Sequence, residues 1–173
     1  AIMEGLQKDI LTAAITAGNQ PIDLLHCVPP STIHHQNGRQ YSDLSRAFAS
    51  NGRDCWDAVD ETARRSFPRS VMALRVVQYE SCRGLEGWTT VLDGLDEFWE
   101  MKRKPALADL ENQTTNRVAD PTLHAKAVAW RWCMIPLTRP IDTLVITIRD
   151  RESALARVLE RVALGFPDAV EQT

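Results

Sequence analysis

Two short segments hold the residue types best suited to chemistry. The first is Val77-Gln78-Tyr79-Glu80-Ser81-Cys82-Arg83-Gly84-Leu85-Glu86-Gly87-Trp88. It reads as an apolar strand that breaks into a polar loop bearing a fixed positive charge, a glycine and a carboxylate. The second, Met134-Ile135-Pro136-Leu137-Thr138-Arg139-Pro140, closes a helical pattern directly before another apolar run. In an open parallel sheet, ligands sit in the crevice beyond the strand C-termini, and Ser81–Glu86 is expected there. Arg139, beside Thr138 at a helix break, is a planar fork suited to phosphate.

Other constellations carry less chemistry. The chain has no G-x-x-x-x-G-K-[ST] phosphate loop, no G-x-G-x-x-G, no G-x-S-x-G elbow and no H-E-x-x-H pair. His34-His35 lies in a polar stretch without a carboxylate or cysteine at ligand spacing, so no metal site is expected. His26 sits within an apolar run and reads as a hydrogen-bonded core histidine. Asp93, Asp96, Glu97 and Glu100 read as the solvated, acidic start of a helix. Arg64-Arg65-Ser66-Phe67-Pro68-Arg69 reads as a solvated connection, with contact to a nucleic-acid backbone as the other reading. Cys27, Cys55, Cys82 and Cys133 form no C-x-x-C pair, and each lies in or beside an apolar segment. They are expected as reduced, packed thiols of a cytoplasmic protein.

The elements that must position these residues alternate. Met3, Leu6, Ile10, Ala13, Ala14 and Ala17 mark a helix over 3–17, stopped by Gly18. Ile22–Val28 reads as a strand closed by Pro29-Pro30, and 29–40 as a polar loop. Ser42 or Asp43 caps a helix holding Leu44, Ala47 and Phe48. Strands are expected at Cys55–Val59, Ala73–Tyr79 and Thr89–Leu92. A short helix is expected over Leu95–Met101, and 102–120, which contains Pro105, as a loop. A helix opens at Asp120-Pro121 and must weaken or end at Pro136. Thr143–Ile148 is expected as a buried strand, with a last helix after Asp150 and a frayed tail from Gly165. Uniformly apolar strands alternating with helices predict an α/β layer fold on a mostly parallel sheet.

The 173 residues, with 44% hydrophobic and 25% charged, suffice for one domain with a real core. No uncharged apolar stretch of about 18 residues is present, so no membrane span is expected. The N-terminus does not resemble a secretory signal. A net charge of −3 excludes a global basic field for nucleic acid. Sixteen of the twenty basic residues are nevertheless arginine, which keeps local phosphate contact open.

In order and spacing the two polar segments resemble motifs V and VI of the UvrD-like superfamily 1 DNA helicases. That family carries a Lys-Gly-Leu-Glu element and, later, a Leu-Thr-Arg-Ala element in its second RecA-like domain. Here these read Arg83-Gly84-Leu85-Glu86 and Leu137-Thr138-Arg139-Pro140, followed by Asp142-Thr143-Leu144-Val145. Upstream, Glu4–Ala17, Gly18, Ile22–Val28, Leu44–Ser50 and Gly52-Arg53-Asp54-Cys55-Trp56 are similar to the family's helix, glycine turn, strand, helix and G-x-x-x-W strand. The resemblance spans most of residues 4–164.

It implies a RecA-like sheet without a phosphate loop of its own, in a single domain with a core over about 4–164 and a tail at 165–173. It implies that Glu86 contacts a nucleotide ribose and Arg139 the γ-phosphate, with Arg83, Gly84 and Thr138 completing the nucleotide contacts. Gln78 and Ser81 stand where the family touches DNA. Arg83 replaces the family's lysine, Pro140 its alanine, and Glu80 a DNA-contacting histidine. Only Glu61–Leu74 separates the Trp56 strand from the next, where the full helicases insert a helical subdomain. The implied cofactors are ATP and Mg²⁺, engaged only with a separate phosphate-loop domain and not by this chain alone. The implied partners are that domain and, through the whole protein, single-stranded or duplex DNA. The alternative is a non-catalytic α/β interaction module with a degenerate helicase fold.

Overall fold

The computed structural model describes residues 2–111 and 120–172. They form two compact units, one of 1–93 with 134–146 and one of 94–133 with 147–173. In the first unit, helix α1 (Ile2–Thr16) ends where Gly18, at φ +93°, gives its N–H to the Ile15 carbonyl. A left-handed residue just past a helix end satisfies carbonyls that the helix cannot. One 3₁₀ turn (Pro21–Asp23) leads into strand β1 (Leu24–Val28), all five residues of which are buried.

The stretch expected as a polar loop holds a second, small sheet instead. Strands β2 (Ile33–Gln36) and β3 (Arg39–Ser42) pair antiparallel around Asn37-Gly38, both at positive φ. Asn-Gly is the sequence best fitted to a tight hairpin turn, so the signal was present among the polar residues. Ser42 then caps helix α2 (Asp43–Ser50) by accepting the Ser45 N–H at 3.0 Å. Strand β4 covers Cys55–Asp57, shorter than expected, and helix α3 covers Glu61–Arg64.

Strands β5 (Leu74–Gln78) and β6 (Gly87–Leu92) flank β1 on either side, both parallel to it. Helix α4 (Leu95–Glu111) and helix α5 (Pro121–Leu137) precede β7 (Pro140–Ile146) and helix α6 (Ala154–Gly165). The five strands order as β4-β5-β1-β6-β7, all parallel and flanked by helices, which is the expected α/β class of RecA-like type. One face carries the core: Leu24, Val28, Leu74, Val76 and Val91 pack with Ile10, Leu11 and Ala14 of α1 and Phe48 of α2. Apolar residues three and four apart give α1 the single stripe that such a sheet buries.

Two further expectations change. β7 is not a buried strand. Among the described residues it pairs only with β6, and Ile141, Asp142, Thr143 and Leu144 are exposed. An apolar run says that a strand exists, not whether it lies at the centre or the edge of a sheet. The loop expected from Lys102 onward is helix as far as Glu111, passing through Pro105, while 112–119 lie outside the described residues. Proline removes one helical hydrogen bond and crowds the preceding turn. Pro105 is exposed, so water can take the freed carbonyl, and the Leu110 side chain beyond it is buried.

The second unit has its own interior. Trp99 of α4 meets Trp130 of α5 edge-on at 6.4 Å, and Lys102 lies 4.2 Å over the Trp132 ring. Asp96 is not a solvated helix start. It is 4% exposed and accepts the N–H groups of Arg149 and Asp150 at 3.1 and 2.9 Å. Glu97 pairs with Arg149 at 3.1 Å, and Glu100 with Arg103 at 2.8 Å. Among the described residues, no helix is long and apolar enough to cross a membrane.

Candidate functional site

The link from β5 to β6 runs from one end of the sheet to the other. After Gln78 the chain makes one 3₁₀ turn, Tyr79–Ser81, anchored by the buried Tyr79 hydroxyl, which donates to the Asp93 carbonyl at 2.8 Å. The Cys82 thiol is buried and donates to the Tyr79 carbonyl at 3.1 Å. Cys82 to Leu85 then closes a turn, with the Leu85 N–H on the Cys82 carbonyl at 3.1 Å. Gly84 takes φ +76° there, a left-handed value that a side chain would strain. Arg83, Gly84 and Glu86 face solvent around this turn, and Gly87 enters β6.

Gly87 is where the backbone must pass closest. A Cβ on it would lie 2.7 Å from the Leu25 Cβ and 2.8 Å from the Thr89 carbonyl. Its N–H donates to the Arg139 carbonyl at 3.2 Å. The ends of both polar segments therefore meet at the N-terminal edge of β6 and β7. This corrects the expectation that Ser81–Glu86 sits beyond strand C-termini. Gln78 and Ser81 do lie at that far end, where Arg64 donates to the Ser81 hydroxyl at 2.8 Å, but Glu86 does not.

Arg139 leaves the end of α5 half-buried. Its Nε donates to the Ile135 carbonyl at 3.0 Å and its Nη2 to the Thr138 hydroxyl at 2.9 Å. Thr138 in turn donates to the Met134 carbonyl at 2.9 Å. The guanidinium thus caps carbonyls that α5 cannot pair, which fixes its plane. Its Nη1 has no partner among the described residues, and neither has the Glu86 carboxylate. A free amino group on a fixed cation and one free carboxylate on the same sheet edge fit a ligand with phosphate at one end and hydroxyls at the other. Among the described residues no group of three His, Cys, Asp or Glu side chains could hold a metal ion.

Arg75 also belongs to this site, although the sequence reading passed over it. It is 6% exposed, and its Nη2 donates to the Glu86 carbonyl at 2.8 Å. Burial presses its pKa below the ordinary arginine value, while the charge of Asp23 opposes that shift. A charge in the run Ala73-Leu74-Arg75-Val76-Val77 was the available signal. Trp56, Arg75, Leu25, Thr90 and Leu144 stand in one register row across the five strands. In that row the Arg75 Nε and the Thr90 hydroxyl are both buried without partners among the described residues.

The remaining candidates have structural roles. His26 is buried against Phe48 with their rings 5.3 Å apart, and neither ring nitrogen has a partner among the described residues. It is a core histidine, as expected, but not a hydrogen-bonded one. Burial, assisted by the Arg75 charge, pushes its pKa down to about 3, so the ring is neutral near pH 7. His34 binds Asp43 at 2.8 Å and stacks on Tyr41. All four cysteines are free thiols. The Cys27 thiol donates toward the Cys82 sulfur, which raises the pKa of Cys27 and lowers that of Cys82. A cavity of about 690 Å³ opens beside α2 and β4. Two of its three acids are occupied: Asp57 by the Ser42 N–H and hydroxyl and the Ser45 hydroxyl, and Asp60 by the Gln40, Thr62 and Ala63 N–H groups, with Asp54 the third.

No protein-family model, curated protein or solved structure matches the chain, so the geometry of this edge stands on its own.

Proposed function

We propose that this chain acts as the second RecA-like domain of a UvrD-like DNA helicase or ATPase, presenting Glu86 and Arg139 to a nucleoside triphosphate. The observation that carries this reading is the meeting of the two segments through the Gly87–Arg139 backbone bond. In this reading the phosphate loop and the Mg²⁺ ligands come from another domain. Bound there, ATP and Mg²⁺ supply the phosphoryl group and the neutralising cation. Arg139 directs Nη1 at the γ-phosphate oxygens, held in plane by Ile135 and Thr138. A fixed cation costs no reorganisation as negative charge builds on those oxygens, and such an arginine is worth roughly 10³–10⁵ in rate. Glu86 accepts the ribose hydroxyls, with Arg75 holding its backbone. Arg83 and Gly84 shape the turn beside it. Gln78 and Ser81, at the far end of the sheet, would meet DNA as hydrolysis drives unwinding or translocation.

The test is ATP turnover by the protein that joins this chain to its phosphate-loop domain. Arg139→Ala should lower kcat by at least about 10³-fold. Glu86→Gln should raise KM for ATP and erase any preference for ATP over 2′-deoxy-ATP. The chain alone should show no turnover, and turnover that survives Arg139→Ala would overturn the assignment. A second reading, an interaction module without catalysis, is favoured by one observation: Arg139 already spends Nε and Nη2 on its own helix end. That reading predicts triphosphate binding indifferent to both substitutions.

A further inference from the structure

Trp88 is the one tryptophan of the five whose side chain is open to solvent, at 45% exposure. Among the described residues, neither its ring nor its indole N–H has a partner. It stands two residues beyond Glu86, so their Cα atoms lie at most about 7 Å apart. The strand register breaks at this point. Gly87 pairs with Pro140 and Thr89 with Thr143, so two residues of β7, Ile141 and Asp142, face Trp88 alone. A bulge of this kind bends the strand and re-aims side chains, and bulges are over-represented next to functional sites. Ile141, 58% exposed, adds an aliphatic side chain at the register position facing Trp88. The Gly87–Arg139 bond ties this patch to the half-buried guanidinium.

We infer that Trp88 is a stacking platform for the nucleobase of the triphosphate whose ribose meets Glu86 and whose phosphates meet Arg139. The inference rests on the nucleotide reading above and adds its base subsite. A bare ring recognises a base by its π-face alone, since every base has one. The subsite therefore accepts adenine, guanine and pyrimidine nucleotides, favours the larger purines, and reads no hydrogen-bonding edge.

The experiment compares binding of ATP, ribose 5-triphosphate and inorganic tripolyphosphate to the protein that joins this chain to its phosphate-loop domain, with the adenine proton shifts followed by NMR. Wild type should bind ATP more tightly than the two baseless ligands and move the adenine protons upfield. Trp88→Ala should remove about 5- to 150-fold of that advantage, leaving tripolyphosphate binding unchanged. Trp88→Phe should keep most of the advantage, which a merely structural role for the indole would not require. Arg139→Ala should weaken all three ligands. If Trp88→Ala leaves ATP unaffected, or weakens all three ligands alike, while Arg139→Ala still weakens all three, stacking is wrong and the nucleotide reading stands. If no ligand binds, or Arg139→Ala changes nothing, both readings fall together.

Discussion

Gly87 gives its main-chain N–H to the carbonyl of Arg139 at 3.2 Å, at the point where β6 and β7 begin side by side. Through that bond the carboxylate-bearing loop and the guanidinium-bearing helix end share one sheet edge. The geometry depends on the absence of a side chain at 87. Gly87→Ala would drive a methyl group against the Leu25 Cβ and the Thr89 carbonyl. Both obstacles lie on the sheet itself, so relief requires the strand to shift. The expected loss is about 1–3 kcal/mol in urea unfolding. Gly5→Ala is the contrasting case, since α1 leaves open space around that position. It should gain about 0.5–1 kcal/mol.

Arg75 holds the next link, donating to the Glu86 carbonyl from a buried position. Arg75→Ala removes a charge-assisted bond and leaves a void, and should cost about 2–4 kcal/mol. Arg75→Met fills the space and removes a buried charge that has no carboxylate hydrogen-bonded to it. It should therefore cost less than the alanine variant. Both variants should speed amide hydrogen exchange at Gly87. Exchange unchanged from wild type would mean that Arg75 does not hold the loop.

His26 makes the fold acid-sensitive. Its folded pKa of about 3 lies below the ordinary 6.5, so below pH 6.5 the unfolded chain takes up a proton that the folded chain refuses. The contribution is intact above pH 6.5 and declines as the pH falls toward 3, by up to about 1.4 kcal/mol per unit. His26→Leu, with no ring nitrogens to leave unpaired, should flatten stability between pH 6.5 and 5. Urea midpoints across that range check it, and parallel slopes for both proteins would refute it.

Asp96 acts as a clasp in the second unit, with one carboxylate oxygen on the Arg149 N–H and the other on that of Asp150. Asp96→Ala strips two backbone donors of their acceptor and should lower stability by about 2–4 kcal/mol. Asp96→Asn retains one acceptor oxygen and should fall between. Glu97→Ala, which breaks a partly exposed pair, should cost under about 1 kcal/mol in the same measurement.

Much of this was legible in one dimension. Helix α1 follows from its apolar spacing and α2 from Ser42, because those signals act between residues three or four apart. Strands β1 and β5 follow from short apolar runs between breakers. The two segments that meet at the candidate site were visible as breaks in those patterns, with Glu86 and Arg139 on them. The hairpin around Asn37-Gly38 was written there too, but polar strand residues masked it.

Only the tertiary structure decided which ends of the strands carry the site. Strand order and register arise from pairings between distant residues, and no local period encodes them. The same applies to burial: Asp96 looked solvated until Arg149 and Asp150 brought their N–H groups to it, and β7 looked buried until it took the edge. Arg75 and Trp88 gained their meaning last. A charge inside an apolar strand and a tryptophan after a glycine are unremarkable as neighbours in sequence. The long-range fold turned one toward the Glu86 carbonyl and left the other open to solvent, because packing against β1 and β7 is settled by the chain as a whole.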